Sequence, residues 1–174
     1  HLLLFILILE YSILNHLKKK VNQNIMNPID FISISTKAMK AYETFCQPVC
    51  KKYQLSQTSF DVLMFLANNP EYNTARDICE IRGIRTGIAS VAVDLLVKSG
   101  YIQRQPDASD RRITRLILTE KSEEIVQSGR LSQREFVMQM TAGISEEEMD
   151  AYMKTAQKFR ANILNMKKTR GDFL

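Results

Sequence analysis

At 174 residues the chain can hold one domain with its own core, or a small domain with long helical extensions that need a partner. A hydrophobic share of 45% and a charged share of 25% exclude wholesale disorder and a multi-span membrane protein. The net charge of +5 permits nucleic-acid binding without demanding it, so its distribution matters more than its total.

The chain opens on an apolar run, Leu2 to Leu9, too short for an ordinary transmembrane helix. Lys18, Lys19 and Lys20 follow this run, whereas a secretory signal places its positive charge before it. Met26-Asn27-Pro28 reads as a natural start, so residues 1–25 are expected to be a non-native or upstream-translated tail.

From Pro28 to Tyr53 the apolar residues Phe31, Ile34, Ala38, Ala41, Tyr42, Phe45 and Val49 recur every three or four positions, which predicts an amphipathic helix. Pro48 is expected to kink or interrupt it. Ser56 can cap a second helix carrying Phe60, Leu63, Met64 and Ala67 and stopping near Asn69-Pro70. Thr74 can cap a short third helix that ends at Gly83, and a fourth runs from about Arg85 to Ser99 with Ala89, Ala92, Val93 and Leu96 on one face. The period then changes. Tyr101 to Arg104 and Ile113 to Leu118 read as two strands joined by the polar turn Pro106-Asp107-Ala108-Ser109-Asp110. A long helix follows from about Thr119 towards Gly143. Ser145 with Glu146, Glu147 and Glu148 starts a last one, whose end near Lys167-Lys168 suits the helix dipole.

Charge and chemistry are unevenly spread over these elements. Between Arg82 and Arg115 lie seven basic residues against three acidic ones, whereas Glu120 to Asp150 holds eight acids and three bases. Cys46, Cys50 and Cys79 form no CxxC pair and have no histidine nearby, so neither a zinc site nor any other metal or cofactor is expected, and the odd count suits a reducing cytoplasm. His1 and His16 both lie in the N-terminal tail, which leaves the rest of the chain without the commonest general base; an enzyme is not expected.

Helix, short helix, turn, helix and hairpin is the order of a winged helix-turn-helix, in which the second helix of the motif enters the major groove and the hairpin is the wing. The segments Leu96-Val97-Lys98-Ser99-Gly100-Tyr101-Ile102 and Asp110-Arg111-Arg112-Ile113-Thr114-Arg115-Leu116-Ile117-Leu118-Thr119 resemble those of MarR-type regulators. The second fits that family's D-x-R-x-x-x-L-x-L-T wing pattern at every specified position. The resemblance implies a mainly α fold with a small β-hairpin wing: a DNA-binding lobe over 56–119, flanked by dimerisation helices over 26–55 and 120–170. Phe31, Ile34 and Phe45 before the lobe, and Phe136, Met140, Met149, Phe159, Ile163 and Leu164 after it, are hard to bury in so small a lobe alone, which agrees with a homodimer.

The same resemblance suggests roles for individual residues. Arg112 stands at the wing-arginine position and would enter the minor groove, with Asp110 holding its guanidinium; the plainer reading is a solvated ion pair on a turn. Arg111 and Arg104 would contact phosphates. Arg85, Thr86, Gly87 and Ser90, at the start of the recognition helix, would reach base edges. Val91 and Leu95 depart from the family, where polar or basic side chains are common. Cys46 and Cys50 are candidates for oxidant sensing, or small apolar fillers of a dimer core. Tyr42, Phe45, Tyr53 and Phe60 could line a pocket for a small aromatic ligand, or serve as core.

Together these features predict a cytoplasmic, homodimeric regulator of transcription, a repressor in the first instance, on a pseudo-palindromic double-stranded operator and without membrane attachment. A small ligand or an oxidant would release it. The alternative is a winged-helix interaction module that has lost specific DNA binding, for which the apolar Val91 and Leu95 speak.

Overall fold

The first predicted helix runs unbroken from Pro28 to Lys52 (α1) in the computed structural model, which describes residues 28–170. The N-terminal apolar run, residues 1–25 with both histidines, and the side chain of Phe31 lie outside the described residues. Of the expected kink or interruption at Pro48, the interruption does not occur. Pro48 removes one backbone donor, a loss of about 3 kcal/mol or more in a helix interior. Cys46, Val49 and Cys50, on either side of it, are buried in the core and hold both halves of the helix to the lobe, while Pro48 itself is exposed. Tertiary packing outweighs the local penalty.

Gln57–Asn68 (α2) starts where its cap predicts, with the Ser56 hydroxyl accepting the Ser59 amide at 3.0 Å. Phe60, Val62, Leu63, Met64, Phe65 and Leu66 are all buried, so α2 is the central helix, covered on every side. Ala75–Arg82 (α3) opens with a capping box in which Thr74 and Asp77 bond each other's backbone amides, at 3.1 and 2.9 Å. Gly83 ends it at φ 76°, a left-handed conformation that favours glycine. The second helix of the motif is Thr86–Lys98 (α4). It packs Ala89, Ala92, Val93 and Leu96 inward and closes through Gly100 at φ 73°.

The hairpin pairs Ile102–Pro106 (β1) with Thr114–Leu118 (β2), antiparallel, in a register from Ile102 opposite Leu118 to Pro106 opposite Thr114. Pro106 therefore ends a strand and does not begin the turn. A two-stranded sheet has edges on both sides, and an edge position tolerates a residue that cannot donate. A short 3₁₀ turn, Glu120–Ser122, leads into Glu123–Met140 (α5), and Glu146–Arg170 (α6) completes the described chain. Ser145 and Glu148 form the predicted reciprocal cap, at 2.9 and 3.2 Å.

One core joins these elements. It runs from Cys46 and Val49 on α1 through α2, takes Ile78 from α3 and Leu96 from α4, and ends on Ile102, Leu116, Ile125 and Val126. Gly129 lets α5 cross α2 closely: a Cβ there would stand 2.5 Å from Met64 Sδ and 3.0 Å from Phe60 Cε2. Gly129→Ala is expected to destabilise the protein by about 1–3 kcal/mol through overpacking, read as a lowered denaturation midpoint. An unchanged midpoint would show that Met64 yields at no cost.

The last helix stands apart from this core. None of the described side chains of α6 is buried, and Tyr152, Phe159, Ile163 and Leu164 line an open apolar groove with Ile34 of α1. Leu131, Val137, Met138 and Met140 on α5 are likewise exposed.

Candidate nucleic-acid interface

The basic stretch folds into two adjoining features, helix α4 and the wing. Along α4 the inward face is apolar, so Thr86, Gly87, Ser90, Val91, Asp94, Leu95 and Lys98 are left exposed. Arg85 is its N-cap residue and makes no side-chain capping bond, unlike Ser56, Thr74 and Ser145 at their helices. The first amides of α4 therefore keep their donors for another partner. Thr86 and Ser90 share a groove with Arg76 of α3 and with Arg104 and Thr114 of the wing.

Arg104, on β1, forms an ion pair with Asp94 of α4, a partner the sequence did not suggest. This bond ties wing to helix and leaves less of the arginine's charge to a phosphate. At the wing turn the Asp110 carboxylate accepts twice from the Arg112 guanidinium, Nε at 3.0 Å and Nη2 at 2.8 Å, and once from the Arg112 amide at 3.0 Å. Even so pinned, the Arg112 side chain is 90% exposed. Its rotamer freedom is reduced in advance, while its outer edge faces solvent. Arg111 is exposed beside it.

A second carboxylate builds the turn itself. Asp107 accepts from the amides of Ser109 and Asp110 at 2.9 and 3.0 Å and from the Ser109 hydroxyl at 2.6 Å. It also accepts from Arg115 Nε at 2.7 Å, and Arg115 in turn donates to Asn73 Oδ1 at 3.0 Å. The Leu116 amide donates to the Asn73 carbonyl at 2.7 Å, so the loop before α3 braces the wing at its base. Asp107, Arg115 and Asn73 were missed as positioning residues. Only the aspartate, within a predicted turn, carried a sequence signal.

These bonds hold both wing carboxylates ionised. The Ser109 hydroxyl first, then Arg115, keep Asp107 well below the usual carboxylate range, and Arg112 lowers Asp110. A carboxylate depressed in the folded state contributes stability that is complete above its unfolded value, near 4, and is lost as the pH falls through its folded value. The Ser109 and Asp110 amide resonances are thus expected to hold steady from pH 8 to about 4. A titration midpoint within that range, above about pH 4, would contradict the bonding described.

The comparison with known families falls on this same region: the model of the MarR family matches residues 53–113. Over those residues the winged-helix lobe is similar to the MarR family. Solved structures of low identity share the fold. A regulator assigned to that family from Listeria monocytogenes, solved with a 26mer DNA, is 18% identical with a TM-score of 0.71, covering 86% of this chain and 99% of its own. The transcriptional regulator SlyA is 20% identical at TM-score 0.68, over 80% of this chain and 98% of its own. The organohalide-sensing regulator RdhR-CbdbA1625, solved with 2,4-dichlorophenol, is 20% identical at TM-score 0.59, over 82% and 89%.

Beside the MarR-type lobe, the sensing candidates sit in packing. Cys46 is fully buried, and burial pushes its thiol up to about 11; burial raises Cys50 as well. Phe60 lies in the core, while Tyr42 and Phe45 meet Phe136 of α5 edge-on, at ring distances of 5.6 and 5.8 Å. Tyr42 also accepts from Gln133 Nε2 at 2.9 Å, and Tyr53 is partly buried against the core. Among the described residues no group of histidine, cysteine, aspartate and glutamate could hold a metal ion. None of the described helices is long and apolar enough to cross a membrane.

Proposed function

We propose that the protein is a cytoplasmic, homodimeric transcriptional repressor that binds a pseudo-palindromic operator through α4 in the major groove and the wing in the minor groove. The observation that carries this reading is the exposed, Asp110-held Arg112 at the turn of a wing that Arg104 ties to α4, a helix whose N-terminus has no side-chain cap. A narrow minor groove concentrates negative potential, and a pre-positioned guanidinium meets it at small entropic cost. Arg85, Thr86, Gly87 and Ser90 would then reach base edges, and Arg111 and the α4 amides would meet phosphates. The apolar faces of α6, α5 and the start of α1 supply the surface for a second copy, since no described residue of the same chain buries them.

Release follows from a ligand that changes the spacing of the two lobes. A small aromatic molecule near Tyr42 and Tyr53 has better support than an oxidant acting on Cys46 or Cys50. Thiolates are the reactive form, and both thiols are buried with their ionisation suppressed. The Tyr42–Phe45–Phe136 cluster links α1 to α5, so a ligand that parts these rings would move the lobe against the dimer helices.

Footprinting on duplexes selected from a random-sequence library by the full-length protein tests the proposal. Two protected half-sites about one helical turn apart are expected. Selection of no sequence above background would overturn it.

A further inference from the structure

Ile88, Val91 and Leu95 form an exposed apolar stripe along α4, at spacings of three and four that set them one above another. They are 50%, 60% and 49% exposed, and the core face of the helix is turned away from them, on Ala89, Ala92, Val93 and Leu96. None is needed to close the lobe. Over the same helix the charged groups are few: Asp94 is taken by Arg104, which leaves Arg85 before the stripe and Lys98 after it as the exposed cations.

Resting on the DNA-binding reading above, we infer that Ile88, Val91 and Leu95 read thymine methyl groups in the major groove, which makes the half-site rich in A·T pairs under α4. The base edges of the major groove present donors, acceptors and one apolar group, the thymine C5-methyl, and an apolar side chain has favourable contact only with the last. The charge pattern fits the same occupant. Cations at either end of the stripe can meet the phosphates that border a groove, and Thr86 and Ser90 bring hydroxyls to the flank nearer the wing. From Ile88 to Leu95 the helix rises about 10 Å, the length of about three base steps. The stripe thus reads a short run of bases and leaves hydrogen-bonded discrimination to the start of the helix. Val91 and Leu95 replace polar grip with a methyl code.

Replacing thymine by deoxyuridine removes this methyl and nothing else from the major-groove edge. The test uses the full-length protein and the duplex it selects from the random library. Single deoxyuridine substitutions under α4 are expected to weaken binding about three- to fourfold each, the factor equivalent to one buried methylene. The effect should vanish in Val91→Ala or Leu95→Ala at the thymine each side chain covers, as a double-mutant cycle requires. Both side chains are exposed, so these variants keep the fold. Equal affinity for thymine and uracil duplexes would overturn the inference while leaving the operator and the wing contact standing. So would a Leu95→Lys variant with undiminished affinity and specificity, which would place the stripe outside the groove as a protein-binding face. Failure to select any duplex would instead bring down the DNA-binding reading itself, and this inference with it.

Discussion

Arg112→Ala is expected to lower affinity for the selected duplex by about 1–3 kcal/mol while leaving the oligomeric state and the melting temperature unchanged. The guanidinium is 90% exposed and contributes only a surface ion pair to the folded lobe, so its loss has little effect on stability. In the bound state the same group would lie in a narrow groove of concentrated potential, where a charge is worth more. Arg112→Lys sharpens the comparison. Lysine keeps the charge but not the planar fork that Asp110 grips through Nε and Nη2, so it should recover only part of the affinity. Asp110→Asn should weaken binding less than Arg112→Ala does, because it frees the arginine without removing it. Affinity unchanged in Arg112→Ala would leave the Asp110–Arg112 bond as an ornament of the turn.

Phe60→Ala carries the largest expected effect on stability, about 3–5 kcal/mol. The ring is fully buried on α2 and stands against the place where Gly129 brings α5 across. It shares one buried core with Cys46 of α1, Leu63 and Met64 of α2 and Ile125 of α5, so the cavity would open in the core that joins these helices. Collapse into that space is limited by the α1–α5 packing through Tyr42, Phe45 and Phe136. Denaturant unfolding of the variant measures the loss. A cost near 1 kcal/mol would mean that Met64 fills the gap, and that the junction of the three helices is softer than described.

Most of the lobe was legible in the sequence because its signals are local. Ser56 and Thr74 stand at helix starts where a side-chain oxygen is needed, Gly83 and Gly100 at left-handed ends, and Asp110 and Arg112 are two residues apart on one turn. Local chemistry decides each of these. The misses have a common physical cause: a partner distant in sequence. Pro48 reads as a breaker until Cys46, Val49 and Cys50 are seen to anchor the helix on both sides. Pro106 reads as turn until its pairing with Thr114 is known. The Arg104–Asp94 and Arg115–Asn73 bonds join residues ten and 42 positions apart, and no periodicity announces them. The sensing residues were the least legible. Buried aromatics and thiols look alike in a sequence whether they pack a core or border a site, and here Phe60 and Cys46 are fully enclosed.

The wing is a braced unit. Asp107 and Asn73 fix its base through Arg115, Arg104 ties it to α4, and Asp110 sets the arginine at its turn. A device of this rigidity has a use if Arg112 must arrive at a groove already aimed.

Affinity for the selected duplex over a salt series tests this reading most directly. Binding through phosphates and an inserted arginine releases counterions, so the protein should lose on the order of a thousandfold in affinity or more between about 50 and 200 mM salt. Arg112→Ala should give a visibly shallower slope. Affinity that stays flat across the series, or that is no stronger for the selected duplex than for random DNA, would contradict it.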